Sequence, residues 1–583
     1  MKPFTIFGIL LLISSVLASA QTPSWQWAKN TSGHFAEGRG IVCDPHGNIF
    51  VAGRFHGAYF NIGGVELLNP YYGSSYYGPE GDAVFIAKYD PCSNLVWAKG
   101  IDGSVDIYNF SIALDKYSNL FITGVLRAMF ESTIYFDSVL LTMGTLDSSD
   151  MYIAKLDSNG NVLWAKNAIG AGQGNGICVD ADGNSYVTGY FSHSTIKFDS
   201  ITLSTFGSED IFIVKYDPSG RVIWAEKGGG DQREYGCAIV ADKDNNIFVT
   251  GGFQSDTARF DSITIVKTDS GAQAVFTAKY DSAGNILWVR QAGGDLYGYE
   301  IDGYASIYGS GIALDMSGNP IITGGFSTNF LRFGTTVLYH APGGTNVNDD
   351  FFLAKYNSSG DLLWAKQAGG TDEDYGMSVA CDSNSNIYVT GDFWSPSIYF
   401  DTFYLVNNGY AALGNGNPNL FVVKYDTAGS VVWAQYPGGT PNNDGNALTI
   451  DVFGNLYLTG DYSDTLTIFG TDSLRIDTAA YYSAFTAKYG FPYTGTCTED
   501  MRNIVFENYV NVYPNPVFNE VFITSSISII EVDVYNMYGQ IVKSEKYNTE
   551  HIQMDFSSLP AGMFVINIRK SNGVIENRKI IKY

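Results

Sequence analysis

The side chains best suited to chemistry are tyrosines and carboxylates that follow a recurring tryptophan. Tyrosine rings offer flat faces that suit a glycan or a protein surface, and neighbouring carboxylates attract cations. The candidate ligand-binding residues are Asp231, Tyr235, Tyr297, Tyr299, Glu300, Asp302, Tyr304, Tyr308, Asp372 and Tyr375. In the alternative interpretation the Asp residues cap turns and the Tyr residues pack between repeats. Only the insertion that carries Tyr297 to Tyr308 is longer than a connection between two strands requires.

No catalytic constellation accompanies these residues. Glycoside hydrolysis needs two carboxylates at a set separation, and the sequence does not pair them. The six histidines lack metal-ligand spacing, and there is no G-x-S-x-G elbow. The sequence therefore predicts no catalytic residue, no metal and no cofactor, and it favours a non-enzymatic binding or structural module for extracellular glycan or protein. A polysaccharide hydrolase or lyase on the same scaffold is the alternative.

Repeated D-x-x-G-N segments, such as residues 180–184, have the carboxylates of a calcium loop and the residues of a tight turn. Calcium takes six to eight oxygen ligands, and the twelve-residue pattern with its terminal Glu is missing. Asp opens a turn by accepting backbone hydrogen bonds, and Gly supplies the positive φ. The turn is therefore favoured over a cation site.

One tryptophan recurs seven times at intervals of 60 to 76 residues, and similar text surrounds each copy. The seven are Trp27, Trp97, Trp164, Trp224, Trp288, Trp364 and Trp433. Each unit contains four predicted strands: a run ending in Asp, a run ending in Thr-Gly, a run of the FIAKYD type and a run of the NxxWAK type. D-x-x-G-N turns join the first to the second strand and the third to the fourth, which predicts hairpins.

The strands are apolar at nearly every position, which indicates that both sheet faces are covered. Four-stranded sheets repeated seven times and covered on both faces predict a seven-bladed β-propeller over residues 21–492. The seventh unit ends at residues 483–490 without its NxxWAK strand, and the unpaired copy lies at residues 24–30. The sequence therefore predicts that the N-terminal strand completes the last blade.

The remaining segments predict an exported protein. Residues 1–20 have a basic start, an apolar run and the ending Ala18-Ser19-Ala20, which is typical of a cleaved signal peptide. No other stretch is apolar enough for a membrane helix, so no membrane span is expected after cleavage. A formal charge of −25 argues against a nucleic-acid partner, because phosphate binding needs clustered Lys and Arg.

The units resemble the seven-bladed propeller repeat of bacterial exported proteins, with the pattern G-x-x-I-A-x-D-x-x-G-N-x-Y-V-T-G followed by F-x-A-K-x-D-x-x-G-x-x-x-W. The match covers residues 24–490. Ser118 and Asn245 replace the turn Gly, and Asn357 replaces the turn Asp. The resemblance implies the propeller fold and an exported setting, and it carries no catalytic residues.

After a linker at residues 493–509, alternating strands at residues 510–583 predict a small Ig-like β-sandwich. This region resembles the type A sorting domain of the type IX secretion system of Bacteroidetes. The motif residues are Tyr513, Pro514, Asn515, Pro516, Gly539, Pro560, Ala561, Gly562 and Lys579. The resemblance implies that the secretion machinery is a partner, and that the domain is removed as the protein is released or attached to the outer cell surface.

The six cysteines fall into two groups. Cys43, Cys178, Cys237 and Cys381 lie in the predicted first strands, where Cys is commonly a small buried apolar residue. Cys92 lies in a turn of the first unit and Cys497 follows the seventh, and ring closure makes these units neighbours. The sequence therefore predicts a Cys92–Cys497 disulfide.

Overall fold

The computed structural model describes most of the chain. The described residues are 23–69, 82–105, 110–127, 133–136, 139–142, 149–268, 273–294, 307–342, 348–408, 417–440, 442–463, 465–476, 481–493, 510–513, 517, 520–571, 573 and 575–582. The predicted signal peptide and nearly all of the predicted linker lie outside them. The regular structure of the described residues is all-β and contains no helix. No helix there is long and apolar enough to cross a membrane.

Each of the seven units forms an antiparallel sheet in the order first, second, third, fourth strand. The first strands are the later part of Ser24–Cys43, Phe110–Leu114, the later part of Val162–Val179, Glu234–Ala241, Ile307–Leu314, Asp374–Cys381 and Asn443–Ile450. The second strands are Ile49–Ile62, Leu120–Arg127, Ser185–Ser192, Ile247–Phe253, Pro320–Phe326, Ile387–Phe393 and Leu456–Tyr462.

The outer half of each sheet carries the Lys and Trp positions of the repeat. The third strands are Asp82–Tyr89, Ser149–Leu156, Glu209–Tyr216, Ala274–Tyr280, Asp350–Tyr356, Asn419–Tyr425 and Ser483–Gly490. The fourth strands of units one to six are Leu95–Val105, the start of Val162–Val179, Val222–Gly229, Ile286–Ala292, Leu362–Ala368 and Val431–Gln435. The repeat is therefore propeller-like at the level of each sheet.

The prediction of four strands per unit was incomplete, because a short hairpin follows the second strand in every unit. In unit one it is formed by the end of Ile49–Ile62 with Val65–Leu68. The others pair Thr133–Phe136 with Val139–Thr142, Thr195–Phe198 with Ile201–Ser204, Thr257–Phe260 with Ile263–Val266, Phe330–Phe333 with Thr336–Tyr339, Ser397–Phe400 with Phe403–Val406, and Thr467–Phe469 with Asp472–Leu474. The last of these also pairs with Gly438–Gly439. The sequence pattern did not reveal these strands. In segments such as F-D-S-I, a two-residue turn joins apolar runs that are only two or three residues long, which is too short to show a periodicity.

The N-terminal strand joins the two ends of the repeat region. Residues 24–30 of Ser24–Cys43 pair antiparallel with residues 485–490, as the fourth strand of unit seven. Residues 31–43 of the same strand then pair with residues 49–62, as the first strand of unit one. One apolar cluster combines Val51 and Phe85 of unit one with Tyr457 and Ala484 of unit seven. The predicted pairing of residues 24–30 with the end of unit seven is thus confirmed.

The D-x-x-G-N segments form turns that use the Asp carboxylate fully. Asp180 Oδ1 accepts hydrogen bonds from the backbone N–H groups of Asp182 and Asn184, at 3.0 and 2.9 Å. Its Oδ2 accepts from Asn184 Nδ2 and the Tyr186 hydroxyl, at 2.8 and 2.9 Å. Ser118 and Asn245, which replace the turn Gly, have φ values of 60° and 61°. The predicted turns are confirmed.

The repeated Trp connects neighbouring units through these turns. Trp97 Nε1 donates to Ser158 O at 3.1 Å, in the turn between the third and fourth strands of the next unit. Gly160 of that turn lies flat on the Trp97 indole, where a Cβ atom would be crowded, and its φ is 82°. Trp164, Trp224, Trp288 and Trp364 make the equivalent bond. The Trp and the turn Gly therefore recur together because they form one contact between units.

The C-terminal region has its own strands and core. Its strands are Val510–Tyr513, Glu520–Asn536, Ile541–Asp555, Gly562–Lys570 and Ile575–Lys582. The long strand Glu520–Asn536 pairs with three of the others. Val521, Val532, Val534 and Ile566 are fully buried in its core. Gly539, with φ of 74°, lies in an Asn536 turn, and Pro560 and Ala561 precede a strand as predicted.

We predict that deleting residues 21–30 destabilises the repeat region, because unit seven loses its fourth strand together with the packing of Trp25 and Trp27. Two indoles and a strand edge represent on the order of 5 kcal/mol or more. Differential scanning calorimetry should show a melting temperature several degrees lower. A chain that lacks only residues 21–23 is the control, and equal melting temperatures for the two deletions would contradict the prediction.

The cysteines give a second prediction. Cys92 is disulfide-bonded, whereas Cys43, Cys178, Cys237 and Cys381 are free thiols. Cys497 lies outside the described residues, so its pairing with Cys92 stays a prediction. Peptide mapping without reduction should recover a peptide that joins Cys92 to Cys497, and thiol counting after unfolding should find four free thiols. Six free thiols, or a different cross-linked peptide, would contradict it.

Candidate binding site between the first strands

A cavity of about 250 Å³ lies between the first strands of all seven units. Each first strand contributes three consecutive residues to its lining. These are residues 39–41, 110–112, 175–177, 237–239, 310–312, 377–379 and 446–448. The cavity is therefore a product of the repeat, since equivalent positions of seven units meet around it.

A β-bulge explains why side chains reach this cavity. In each of five first strands the register skips one residue, and that residue lines the cavity: Arg39, Asn175, Cys237, Ser310 and Met377. In unit seven the register skips Gly445 and Asn446, of which Asn446 lines the cavity. A bulge re-aims one side chain within an otherwise regular strand. The skipped position differs in type between units, although its flanking residues repeat.

A second row of the lining is uniformly aliphatic. Two residues after the bulge position each unit carries Ile, Val or Leu, and unit two carries Ile at the equivalent position. The row consists of Ile41, Ile112, Ile177, Ile239, Ile312, Val379 and Leu448. The row at the bulge positions therefore varies in type between units, from Arg39 to Met377, whereas the second row is aliphatic throughout and packs into the hydrophobic clusters between neighbouring units.

A charged cluster adjoins the cavity where units six, seven and one meet. Arg39 Nη2 lies 2.5 Å from Glu37 Oε2, and Arg54 approaches the same carboxylate through Nε at 2.8 Å and Nη2 at 2.9 Å. Asp444 and Asp461 are cross-strand partners. Asn446, which lines the cavity, donates through Nδ2 to Asp461 Oδ1 at 2.9 Å and to Gly38 O at 3.0 Å.

Asp392 of unit six joins this cluster by accepting a hydrogen bond from the Gly445 N–H at 2.8 Å. Asp392 and Asp461 are each only 3% exposed. Burial, with the Asp461 carboxylate adding to it, raises the pKa of Asp392 to about 7. Burial and neighbouring carboxylates also raise the pKa values of Asp444 and Asp461 well above the ordinary range. Such shifts reflect the cost of ionising neighbouring carboxyl groups away from water.

Glu37 behaves differently from its neighbours. Burial alone would raise its pKa, but the hydrogen bond from Arg54 and the charges of Arg39 and Arg54 hold that pKa below its ordinary value. One Glu37 carboxylate is therefore shared by the two guanidinium groups of Arg39 and Arg54, and the three aspartates lie beside this cluster.

Further buried carboxyl groups lie where the third strand of one unit meets the next unit. Burial raises the pKa of Asp210 to about 6, and Glu234 of the following unit adds to the effect. Burial raises the pKa of Asp350 to about 7, although His340, whose Nδ1 is 3.7 Å away, opposes the shift. In the described part of the chain, no group of three or more His, Cys, Asp or Glu side chains is arranged to hold a metal ion.

The structure brings few of the predicted ligand residues together. Tyr375 is the cross-strand partner of Asp392 and therefore adjoins the charged cluster. Tyr235 accepts a hydrogen bond from Gln273 Nε2. Asp372 accepts one from Asn348 Nδ2 at 3.3 Å, whereas Asp231 is exposed; neither lines the cavity. Tyr308 lies in the first strand of unit five, as the partner of Gly325.

Several predicted residues lie outside the described part of the chain. They are Tyr297, Tyr299, Glu300, Asp302 and Tyr304 of the insertion, and Pro514, Asn515 and Pro516 of the sorting motif. Tyr513 lies in a described strand as the partner of Phe522.

Sequence reasoning missed Glu37, Arg39, Arg54, Asp392 and Asp461. A signal was present, because the residue after the Thr-Gly pair of the second strand (Ala52-Gly53 in unit one) is charged in only three units. These residues are Arg54, Asp392 and Asp461, against Val125, Tyr190, Gly252 and Gly325 in the others. Units six, seven and one are consecutive once the N-terminal strand pairs with unit seven, so this pattern identifies one sector of the repeat.

Two protein-family models match parts of the chain. Residues 511–582 match the secretion system C-terminal sorting domain, and residues 363–395 match the β-propeller repeat. The chain therefore carries a type IX sorting domain together with a propeller repeat, as the sequence predicted. The sorting domain implies interaction with the type IX secretion machinery and supports secretion or placement at the outer surface.

Two curated proteins are similar to this chain over part of their length. An uncharacterized WD repeat-containing protein of Acanthamoeba polyphaga mimivirus is 26% identical over 499 residues, which cover 69% of this chain and 35% of the relative. The regulatory protein FlaEY of Caulobacter vibrioides is 31% identical over 137 residues, which cover 23% and 14%. The chain thus spans well under two thirds of either relative.

Solved structures with similar chains have low overall agreement. A protein of unknown function from Dyadobacter fermentans is 9% identical with a TM-score of 0.32, covering 79% of this chain and 98% of that one. PorZ, a surface component of the type-IX secretion system of Porphyromonas gingivalis, is 8% identical with a TM-score of 0.15, covering 95% and 100%. The fold description therefore depends on the strand pairing within this chain.

We predict that the melting temperature is higher at pH 5 than at pH 8. Asp210, Asp350 and Asp392 have folded pKa values of about 6, 7 and 7, above the ordinary carboxyl value. A carboxyl group whose pKa is raised on folding contributes to the free energy of unfolding. This contribution is complete below the pKa of the unfolded state and is lost as the pH rises through the pKa of the folded state. Stability should therefore decrease between about pH 5 and pH 8.

In the Asp392→Asn variant the melting temperature should fall less between pH 5 and pH 8, because an amide oxygen can still accept the hydrogen bond from the Gly445 N–H and does not ionise. Asp231→Asn, at an exposed position, is the matched control. Thermal unfolding of the three proteins at both pH values measures the effect. A wild type with equal melting temperatures at pH 5 and pH 8 would show that these carboxyl groups do not govern stability.

Proposed function

We propose that the seven units form a closed seven-bladed β-propeller. Three contacts support closure at the seam: the pairing of residues 24–30 with residues 485–490, the cluster that joins Val51 to Tyr457, and the close packing of Gly38 against Thr459. Gly174, Gly236, Gly309, Gly376 and Gly445 pack in the same way on a Thr of the preceding unit. The seam therefore uses the contact found between the other units.

We also propose that residues 510–583 form an Ig-like sandwich. Strand Glu520–Asn536 supports this, because it shifts register near Ile529 and pairs with Ile541–Asp555 on both sides of the shift. A strand that bends in this way can contribute to two packed layers. In this proposal the N-terminal signal peptide is cleaved first. The C-terminal domain then directs passage of the protein across the outer membrane and is removed afterwards.

We propose that the mature protein is a non-enzymatic binding or structural module at the cell surface, with extracellular glycan or protein as its ligand. The observation that carries this proposal is the cavity between seven first strands, where a bulge shared by six units presents five different types of side chain. A symmetric scaffold with a varied lining is suited to selective recognition, because pockets place a few polar groups within an apolar frame.

The charged cluster and the tyrosines extend this face. Tyr235, Tyr308 and Tyr375 occupy equivalent positions of units four, five and six, each paired with the residue after the Thr-Gly pair of the second strand. In units seven and one the same position carries Asp444 and Glu37. The residue type at this register position thus changes from tyrosine to acidic around the cavity, and the insertion that carries Tyr297 to Tyr308 belongs to unit five.

A glycan array followed by product analysis tests this function. The purified mature chain should retain at least one extracellular glycan or surface protein without cleaving it, and a variant lacking residues 296–306 should bind at least fivefold more weakly. Asp244→Asn, in the exposed turn between the first and second strands of unit four, serves as a surface control. New reducing ends or unsaturated products would instead identify a polysaccharide hydrolase or lyase, and failure to retain any glycan or surface protein would contradict the binding role.

A further inference from the structure

We infer that one exposed end of the sheet in the sorting domain is the surface that the type IX secretion machinery binds. This inference rests on the sorting role of residues 511–582 and not on the proposed binding of glycan or protein by the repeat region. The surface, which we call the apolar tip, consists of Tyr535, Met537, Tyr538, Ile541 and Val565. Three features carry the inference: the clustering of these side chains, their lack of a structural role and the convergence of sorting motifs beside them.

Exposed apolar side chains are concentrated at one end of the domain. Its described residues expose six large apolar side chains, which are Met537, Tyr538, Ile541, Val542, Val565 and Ile575. All of them except Ile575 lie at the end of the sheet where strand Glu520–Asn536 turns into strand Ile541–Asp555. Single exposed apolar residues are normal, whereas a contiguous group of them marks an interaction site.

The strand register places the row that supports the tip on one face of the sheet. Tyr535 pairs with Ile541 on one side and with Val565 on the other, and directly paired residues of an antiparallel sheet share a face. The core uses the opposite face, because Val534, the residue before Tyr535, is fully buried and neighbouring side chains of a strand alternate. The row is therefore an apolar strip that is turned away from the core.

The turn that carries Met537 and Tyr538 does not depend on their side chains. Asn536 Oδ1 accepts hydrogen bonds from the backbone N–H groups of Tyr538 and Gln540, both at 3.0 Å. The Gly539 N–H donates to Asn536 O at 2.9 Å, and the φ of 74° at Gly539 suits glycine. Met537 and Tyr538 are nevertheless apolar, although they are 65% and 89% exposed. Their side chains are therefore available for contact with another molecule.

Three sorting motifs that are separated in the sequence meet at this end of the sheet. Gly539 lies in the turn itself. Residues 560–562 lead into a strand whose Phe564 pairs with Asn536, so they lie at the same end. Lys579 extends the row of the apolar tip as its next register partner. The fold thus brings the motif segments together around the exposed apolar side chains.

The partner that fits this surface is a protein of the secretion machinery with an apolar pocket. Tyr and Met are enriched in protein–protein interfaces, where a few buried aromatic side chains supply much of the affinity. Polar and charged groups surround the apolar centre of such interfaces, and Lys579 has this position at the tip. The sorting domain is the part of the chain that implies contact with the machinery, and the tip is where its described residues concentrate exposed apolar side chains.

The test follows export of the full chain, with its signal peptide and its sorting domain, in a bacterium that has a type IX secretion system. The Met537→Ser/Tyr538→Ser variant should reach the cell surface or the medium about tenfold less than the wild type, because it loses the apolar contact. The retained protein should accumulate in the periplasm. Quantitative immunoblots of cell fractions measure both effects. The Met537→Leu/Tyr538→Phe variant keeps the surface apolar and should be exported like the wild type.

The matched control is Met316→Ser/Tyr117→Ser, which makes the same two changes at turn positions of the repeat region that are 69% and 71% exposed. Ile575→Ser is the control within the sorting domain. Both controls should be exported like the wild type. A cross-linking measurement does not depend on the stability of the Ser variants. A photoreactive phenylalanine analogue in place of Tyr538 should cross-link the chain to a component of the secretion machinery, whereas the same analogue in place of Tyr117 should not.

Three results would overturn the inference. These are normal export of the Met537→Ser/Tyr538→Ser variant, equal loss of export in the Met537→Leu/Tyr538→Phe variant, and cross-linking from position 538 only to a second copy of the chain. If deletion of residues 510–583 blocks export in those cases, the sorting role stands and only the surface is wrong. If the chain without residues 510–583 is exported like the full chain, the sorting role itself fails, and the inference fails with it.

Discussion

The structure depends on a close approach between neighbouring units. A Gly in each of six first strands lies directly against a Thr of the preceding unit's second strand, at a distance that leaves no room for a Cβ atom. The Thr hydroxyl is itself held, as in Thr188, whose Oγ1 donates to Phe212 O at 3.0 Å. Because neighbouring units approach to this distance in a regular way, all seven first strands converge on one cavity, and the bulge one residue later is directed into it.

A second regular contact between neighbouring units is made by the outer strands. Five of the seven Trp residues, Trp97 to Trp364, lie on a turn Gly of the next unit and donate to a carbonyl of that turn. A buried Lys such as Lys355 reaches both Asp315 at 2.9 Å and Thr427 O of the next unit at 3.4 Å. The acidic turn residues are thereby occupied with structural hydrogen bonds. Two positions in each unit are not needed for packing within the repeat: the bulge residue of the first strand and the residue after the Thr-Gly pair of the second strand. The side chains at these positions are available for recognition.

Charge is distributed unevenly over an otherwise regular scaffold. The sector formed by units six, seven and one contains Asp392, Asp444 and Asp461 beside the Glu37 and Arg39 pair, whereas units four to six carry Tyr at the corresponding first-strand position. The same sector contains the seam made by the N-terminal strand. The seam, the raised pKa of the Asp392 carboxyl group and the proposed recognition face therefore lie in one part of the molecule.

Much of the strand organisation and the C-terminal motifs could be predicted from the sequence. The Trp interval, the D-x-x-G-N turns and the unpaired strand at residues 24–30 predicted the units, the hairpins and the joining of the chain ends, because these patterns reflect local backbone requirements and pairing that repeats. The sorting motifs around Gly539 and Gly562 were equally readable. The short hairpins were missed, since two apolar residues on either side of a turn leave no periodicity to detect.

Which side chains meet depends on how the units pack against one another. Asp392 and Asp444 lie in different units, and Glu37 is far more distant in the sequence, yet the three side chains belong to one charged cluster beside the cavity. The bulge residues Asn175 and Ser310 look like ordinary strand residues until the register shift turns them inward. The repeated pattern in the sequence reflects how each strand pairs with the strands next to it. The composition of the central cavity depends instead on seven strands from seven units, so it cannot be predicted from any one unit.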